Sequence, residues 1–218
     1  MIGELISLSL VFVPAIIFLI YKISKGEKVI PSHCIWMFTF LFYICLVFFV
    51  TGLGTIWDII DKGGLISSIQ SAKINLIPFA SDGFFTYIMN IIMLMPLGFL
   101  IPYIWKNYRN IYKVAVIGFL FSFFIEISQI PTNRAVDIDD LIMNTIGTVL
   151  GYAIWKGIGK VLFSKNEEKR TQDLSKIEPI IYLVLACILH FFRFRQPAPL
   201  FRSFIVPRNS GGCIAAKV

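Results

Sequence analysis

The chain alternates long apolar blocks with short polar connections. Five blocks approach or exceed the roughly 20 residues that cross a bilayer as a helix: Leu5–Ile23, Cys34–Leu53, Phe84–Trp105, Tyr112–Ile130 and Ile138–Val161. A sixth, Ile180–Phe192, holds only about 13 residues and crosses only by extending to Phe194 with local bilayer thinning. The pattern predicts an all-α fold, a polytopic membrane helical bundle of about six spans. Pro96 and Gly98 inside the third block suggest a kink there. Between the second and third blocks, Thr55–Asp61 reads as a short interfacial helix carrying Trp57 at headgroup level, ended by Gly63 and Gly64.

The organisation follows from these blocks. Residues 1–54 hold two N-terminal spans, 55–83 an extracytoplasmic loop, and 84–162 a core of three spans. Residues 163–177 form a basic cytoplasmic loop, and 178–194 the last span. Residues 195–218 show no helical periodicity and are read as a tail that is either disordered or of non-native origin. No repeat of 20–50 residues is visible.

Composition agrees: 57% of the 218 residues are hydrophobic and only 15% are charged, against roughly 25% in soluble domains. The net charge of +7 invites a nucleic-acid reading. Placement argues against it, because Lys and Arg gather in short connections as orientation bias requires. Lys22, Lys25 and Lys28, then Lys106, Arg109 and Lys113, then Lys165, Lys169, Arg170 and Lys176, mark cytoplasmic loops. Asp58, Asp61 and Asp82 against Lys62 and Lys73 mark an extracytoplasmic one. The expectation is a multi-pass plasma-membrane protein with both termini extracytoplasmic and no nucleic-acid partner. Arg193, Arg195 and Arg202 run against that bias. Glu4 in place of a basic n-region argues against a cleavable leader. Cys34, Cys45, Cys187 and Cys213 have no ligand spacing, so neither a disulfide nor a zinc site is inferred. His33 and His190 are isolated and read as interfacial.

The stretch Glu126–Tyr152 departs from what anchoring needs. Glu126 lies inside an apolar run, and Asp137, Asp139 and Asp140 fall within four residues just before the next one. Such charges cost about 2.5–3.5 kcal/mol each at a helix centre on insertion scales. Side chains three, four and seven apart share a helix face. On the fifth block that aligns Asp140, Asn144, Gly147 and Gly151; on the fourth, Gly118, Ser122, Glu126 and Gln129. Two glycines one turn apart allow close backbone approach, so the first stripe should face protein. With Asn90 and Arg134, these residues are expected to converge on an outward-facing polar cavity between the third, fourth and fifth spans. Asp139 points about 100° away from Asp140 and is expected to matter less. Blander roles stand beside these: Asp137 or Asp139 as helix caps, Asn90 and Asn144 as interhelical glue, Arg134 as a solvated partner of Asp137.

The spacing of four ordered motifs resembles the VanZ-like family, named for a teicoplanin-resistance protein. They are Asn75-Leu-Ile-Pro78-Phe79, Asn90-Ile-Ile-Met-Leu-Met-Pro96-Leu-Gly98, Glu126-Ile-Ser-Gln129, and Asp137-Ile-Asp139-Asp140-Leu-Ile-Met-Asn144-Thr-Ile-Gly147 with Gly151 following. The resemblance covers roughly Asn75–Tyr152 and adds Asn75 to the candidate site. It implies an integral membrane protein of the Gram-positive type that lowers sensitivity to glycopeptide antibiotics. It implies no established reaction.

Three functions compete. The first is binding of a lipid-linked cell-wall precursor or teichoic-acid-type polymer, with membrane lipids as further partners and no cofactor. The second is an intramembrane enzyme in which Glu126, with Asp137, Asp139 or Asp140, holds a divalent cation; Glu126 and Asp140 are its catalytic candidates. No Ser/His/Asp set, HExxH motif or Gly-rich phosphate loop supports it. The third is a small transporter, hinted at by the proline in the third span and by Glu126.

Overall fold

The computed structural model describes residues 11–79, 83–132, 134–159 and 176–192. Its elements in chain order are α1 (Phe12–Ser24), α2 (Pro31–Thr51), α3 (Ile56–Asp61), α4 (Leu65–Gln70), β1 (Lys73–Asn75), α5 (Phe84–Ile104), α6 (Ile111–Gln129), β2 (Ala135–Asp137), α7 (Ile138–Ile154) and α8 (Glu178–Phe191). Residues 1–10, 80–82, 133, 160–175 and 193–218 lie outside the described residues. So do the readings placed on them, including most of the basic loop, Cys213, Arg193, Arg195, Arg202 and the tail.

Local chemistry sets the boundaries. Pro31 starts α2, where its missing N–H costs nothing, and Gly52 ends it in the left-handed region at φ 58°. Thr55 and Asp58 form a reciprocal capping box at the start of α3. Asn110 caps α6 by accepting from the Tyr112 N–H. Asp137 caps α7 by accepting from the Asp139 N–H. The α5 helix runs through Pro96 and Pro102. Near Pro96 the Tyr43 hydroxyl donates to the Met93 carbonyl at 2.8 Å, a side-chain bond in the turn where proline removes a backbone donor.

Three helical stretches among the described residues are long and apolar enough to cross a membrane: Pro31–Asp61, Phe84–Ile104 and Ile111–Gln129. The helices α1 and α8 are apolar but shorter, at 13 and 14 residues. The 17-residue α7 opens with Asp139 and Asp140 in its first turn.

The described residues are mostly helical, as expected, and two features add to the reading of residues 55–83 as a loop carrying one short helix. That segment contains α4 and β1 as well as α3, and β1 pairs in parallel with β2, setting Lys73 opposite Ala135, Ile74 opposite Val136 and Asn75 opposite Asp137. Strands of three residues are too short to leave a period-2 signature in the sequence.

The bundle has two distinct ends. At the ladder end, α2 and α6 finish while α5 and α7 begin, and the Gly54 N–H donates to the Ser128 carbonyl at 3.0 Å. At the opposite end lie the turn between α5 and α6 and the start of α8, joined where the Tyr108 hydroxyl donates to the Lys176 carbonyl at 3.0 Å. The Arg109 guanidinium lies over the Trp155 ring there, at 5.4 Å. A core of fully buried aromatics sits near this end: the Trp105 ring is 5.2 Å from Phe40, 6.2 Å from His33 and 6.4 Å from Tyr182. Both histidines are buried, correcting their interfacial reading: His33 pairs with Glu178 beside this core, and His190 packs on Phe48, towards the other end of α2, at 4.8 Å.

The tightest packing is between α5 and α7, and the glycine stripe creates it. A Cβ on Gly147 would lie 2.2 Å from the Ile91 carbonyl oxygen, and one on Gly151 1.9 Å from that of Met95. From the other side, a Cβ on Gly98 would lie 1.8 Å from the Thr148 carbonyl oxygen. The two backbones are therefore in direct contact.

Candidate functional site

The contact between α5 and α7, together with the ladder, decides which polar groups meet. Parallel pairing sets Asn75 opposite Asp137, and the Asn75 amide donates to Asp137 Oδ2 at 3.0 Å. The other Asp137 oxygen accepts from the Asp139 N–H at 2.9 Å. The Asp137 N–H in turn donates to Glu126 Oε2 at 3.1 Å. Asp137 thus joins β1, the start of α7 and the last turn of α6 through one residue. It acts as a helix cap and as a link at once. Glu126, inside α6, is buried, and the bond from the Asp137 N–H ties its carboxyl to the start of α7.

Asp139 is the most enclosed carboxylate of the group. It is fully buried. Its two oxygens accept from the Phe79 N–H at 2.8 and 2.9 Å, and Oδ2 also accepts from the Tyr87 hydroxyl at 2.9 Å. Phe79 adopts a positive φ of 61°, uncommon for a residue with a side chain and held here by those bonds. Its ring meets Tyr87 edge-on at 6.0 Å. Asp139 does point away from the stripe, but what stands on that side is the 75–79 segment and the first turn of α5.

Asp140 and Asn90 are hydrogen-bonded across α5 and α7, the Asn90 amide donating, and both are only half-buried. Deeper on the same stripe, the Asn144 amide donates to the Ser122 hydroxyl at 3.0 Å, so Asn144 does join two helices. Its Oδ1 is buried without a protein partner. Gln129 donates to the Thr51 carbonyl at 3.0 Å and closes the C-terminal end of α2. Arg134 is exposed, with its guanidinium against Gly52: a Cβ there would be 3.3 Å from Nη2. It therefore sits at the C-terminal end of α2.

All nine candidate residues lie at the ladder end. Asp137, Asp139 and Glu126 are buried in a network that joins chain segments, and the glycine contact brings α5 and α7 together below them. Among the described residues, no three His, Cys, Asp or Glu side chains are grouped as metal ligands, so Glu126, Asp137 and Asp140 do not form a three-carboxylate cation site. Arg134 is exposed, and the Asn90–Asp140 pair and Asn75 are half-buried. Beside them the described surface is strongly apolar: Leu76, Ile77, Phe79, Phe84 and Phe85 are all at least 65% exposed.

Sequence reasoning missed Tyr87 and the Phe79 N–H as partners. Tyr87 carried a usable signal, since it lies one turn before Asn90 on α5. The Phe79 N–H carried none, because a backbone group has no residue identity to read.

A family model described as VanZ/LLP1 matches residues 38–163, a span that includes every residue of the ladder-end network described above. No curated protein and no solved structure matches the chain.

Proposed function

Because the chain belongs to the VanZ/LLP1 family, we propose that it is a multi-pass envelope membrane protein whose ladder end faces outward and binds the polar head of a lipid-linked wall component. The bound molecule would be a cell-wall precursor or teichoic-acid-type polymer, and its retention would lower glycopeptide sensitivity. The observation that carries this reading is the pairing of half-exposed Asn90 and Asp140 beside the exposed rim of Ile77, Phe79, Phe84 and Phe85. A polar donor–acceptor pair next to exposed aromatics suits a molecule with a polar head and an apolar anchor at the membrane surface. The buried carboxylates serve it indirectly, by holding the 75–79 segment and the start of α5 in place.

The outward orientation is supported by Lys106, Arg109, Lys113 and Lys176, which lie at the opposite end. With the remaining cysteines replaced, Thr132→Cys is expected to react with a membrane-impermeant maleimide in intact cells. Reaction only after lysis would place the ladder end inside and remove this reading.

Substitutions separate binding from support. Asp140→Asn and Asn90→Ala are expected to express and melt close to wild type but to lose teicoplanin tolerance. Asp139→Asn leaves the Phe79 N–H and the Tyr87 hydroxyl competing for a weaker acceptor, and should cost about 1–3 kcal/mol of stability. Its loss of tolerance should therefore track loss of folded protein. Full tolerance in well-expressed Asp140→Asn and Asn90→Ala cells would show that the accessible pair binds nothing relevant.

A further inference from the structure

A second feature lies away from the ladder end and does not depend on the reading above. Between α6 and α8 runs a groove of about 360 Å³, its walls formed by Val116, Leu120 and Phe124 on one side and Val184, Cys187 and Ile188 on the other. From Val116 to Phe124 it extends about 12 Å along the helix, at about 1.5 Å per residue. The lining is almost wholly apolar. The groove is open along its length, where Val116, Leu120, Val184 and Ile188 are exposed.

The groove does not end blindly. Val116, Ile117 and Ile180 also line a second cavity of about 630 Å³ at the basic end of the bundle. Its polar members are Asn107, Tyr108, Tyr112, Lys113 and Lys176, and among the described residues no acidic side chain lines it. Lys113 is held at this mouth: its ammonium donates to the Asn107 carbonyl at 3.0 Å and lies 5.8 Å from the centre of the Tyr108 ring. Tyr112 is 78% exposed beside it.

An apolar slot that opens into a mouth lined by Lys113 and Lys176 has the polarity of a lipid carrying negative charge. We propose that the groove and its mouth form a binding site for an anionic phospholipid, with an acyl chain between α6 and α8 and the phosphate between Lys113 and Lys176. Acyl chains are the natural filling of an apolar groove on a membrane helix. The lysines add discrimination, because a zwitterionic headgroup offsets its own phosphate charge and an anionic one does not. The bound lipid would also fill the side of α8, whose 14 residues make it shorter than a comfortable span.

The test uses the full-length protein, purified in detergent, stripped of lipid and titrated with dioleoyl phosphatidylglycerol or dioleoyl phosphatidylcholine by native mass spectrometry. Phosphatidylglycerol is expected to bind roughly tenfold more tightly. Lys113→Gln/Lys176→Gln should abolish that preference while leaving phosphatidylcholine binding unchanged, and Lys113→Arg/Lys176→Arg should retain it. Val184→Trp, which fills the groove, should weaken both lipids. Equal affinities in the wild type would overturn the proposal without any variant. A preference that survives in Lys113→Gln/Lys176→Gln would overturn it as well. Displacement of phosphatidylglycerol by millimolar inorganic phosphate would show a site for the free anion and refute the lipid assignment.

Discussion

Gly151→Ala is expected to lower stability by about 1–3 kcal/mol, the usual range for forcing extra volume into a filled contact, and Gly147→Ala/Gly151→Ala by more than either alone. The cause is the spacing between α5 and α7. The added methyl at Gly151 would lie 1.9 Å from the Met95 carbonyl oxygen and 3.0 Å from the Phe99 nitrogen. Those atoms belong to helix backbone, so relief requires one helix to move as a unit. Movement at Gly147, next to Ile91, would reach Asn90 and its bond to Asp140. Loss of the glycine contact should therefore lower folded yield and loosen the accessible pair together. Gly157→Ala is the control, since nothing stands within 4 Å of a Cβ there. Thermal melts of purified protein, read alongside size-exclusion profiles, decide the matter. If Gly151→Ala melts with Gly157→Ala and the wild type, the close helix contact is wrong.

The second large effect is expected from the buried pair that joins the first and last parts of the chain. His33 Nε2 lies 3.1 Å from Glu178 Oε1, and the Tyr182 hydroxyl donates to the same oxygen at 3.0 Å. Both members of the pair are fully buried. His33→Ala would leave the Glu178 carboxylate with only the Tyr182 hydroxyl in place of two partners. Glu178→Ala would strand the imidazole and the phenol. Leaving one member of a buried hydrogen-bonded pair without its partner costs about 1–3 kcal/mol, whereas replacing both with apolar groups can be close to neutral. His33→Ala and Glu178→Ala are accordingly expected to reduce folded protein severely. His33→Leu/Glu178→Leu should recover much of the loss. The double-mutant cycle measures the coupling directly. Single variants as stable as wild type would mean that the pair does not hold α8 against α2.

Several elements were readable from residue pattern alone. Apolar blocks located α2, α5 and α6 to within a few residues, because a bilayer-length helix must bury its backbone polarity along the whole run. Gly63 and Gly64 marked the end of α3, and both adopt positive φ. The spacing of Gly147 and Gly151 indicated a face that admits another backbone, since helical periodicity alone puts them one turn apart. Capping by Asp137 was also within reach, because an acceptor at a helix start meets orphan N–H groups whatever the fold.

The remaining features depended on which segments meet in space. Helix geometry correctly turned Asp139 away from Asp140, yet it could not show that the 75–79 segment supplies a backbone donor there, 60 positions earlier in the chain. The β1–β2 ladder has only three residues per strand, too few for a periodic signal, and its partners are separated by α5 and α6. His33 and Glu178 lie 145 positions apart, and each taken alone resembles an ordinary polar residue at a membrane boundary. Periodicity assigns a side chain its direction because the helix is a local object. Its partner belongs to another element, and only the packing of the helices brings the two within hydrogen-bonding distance.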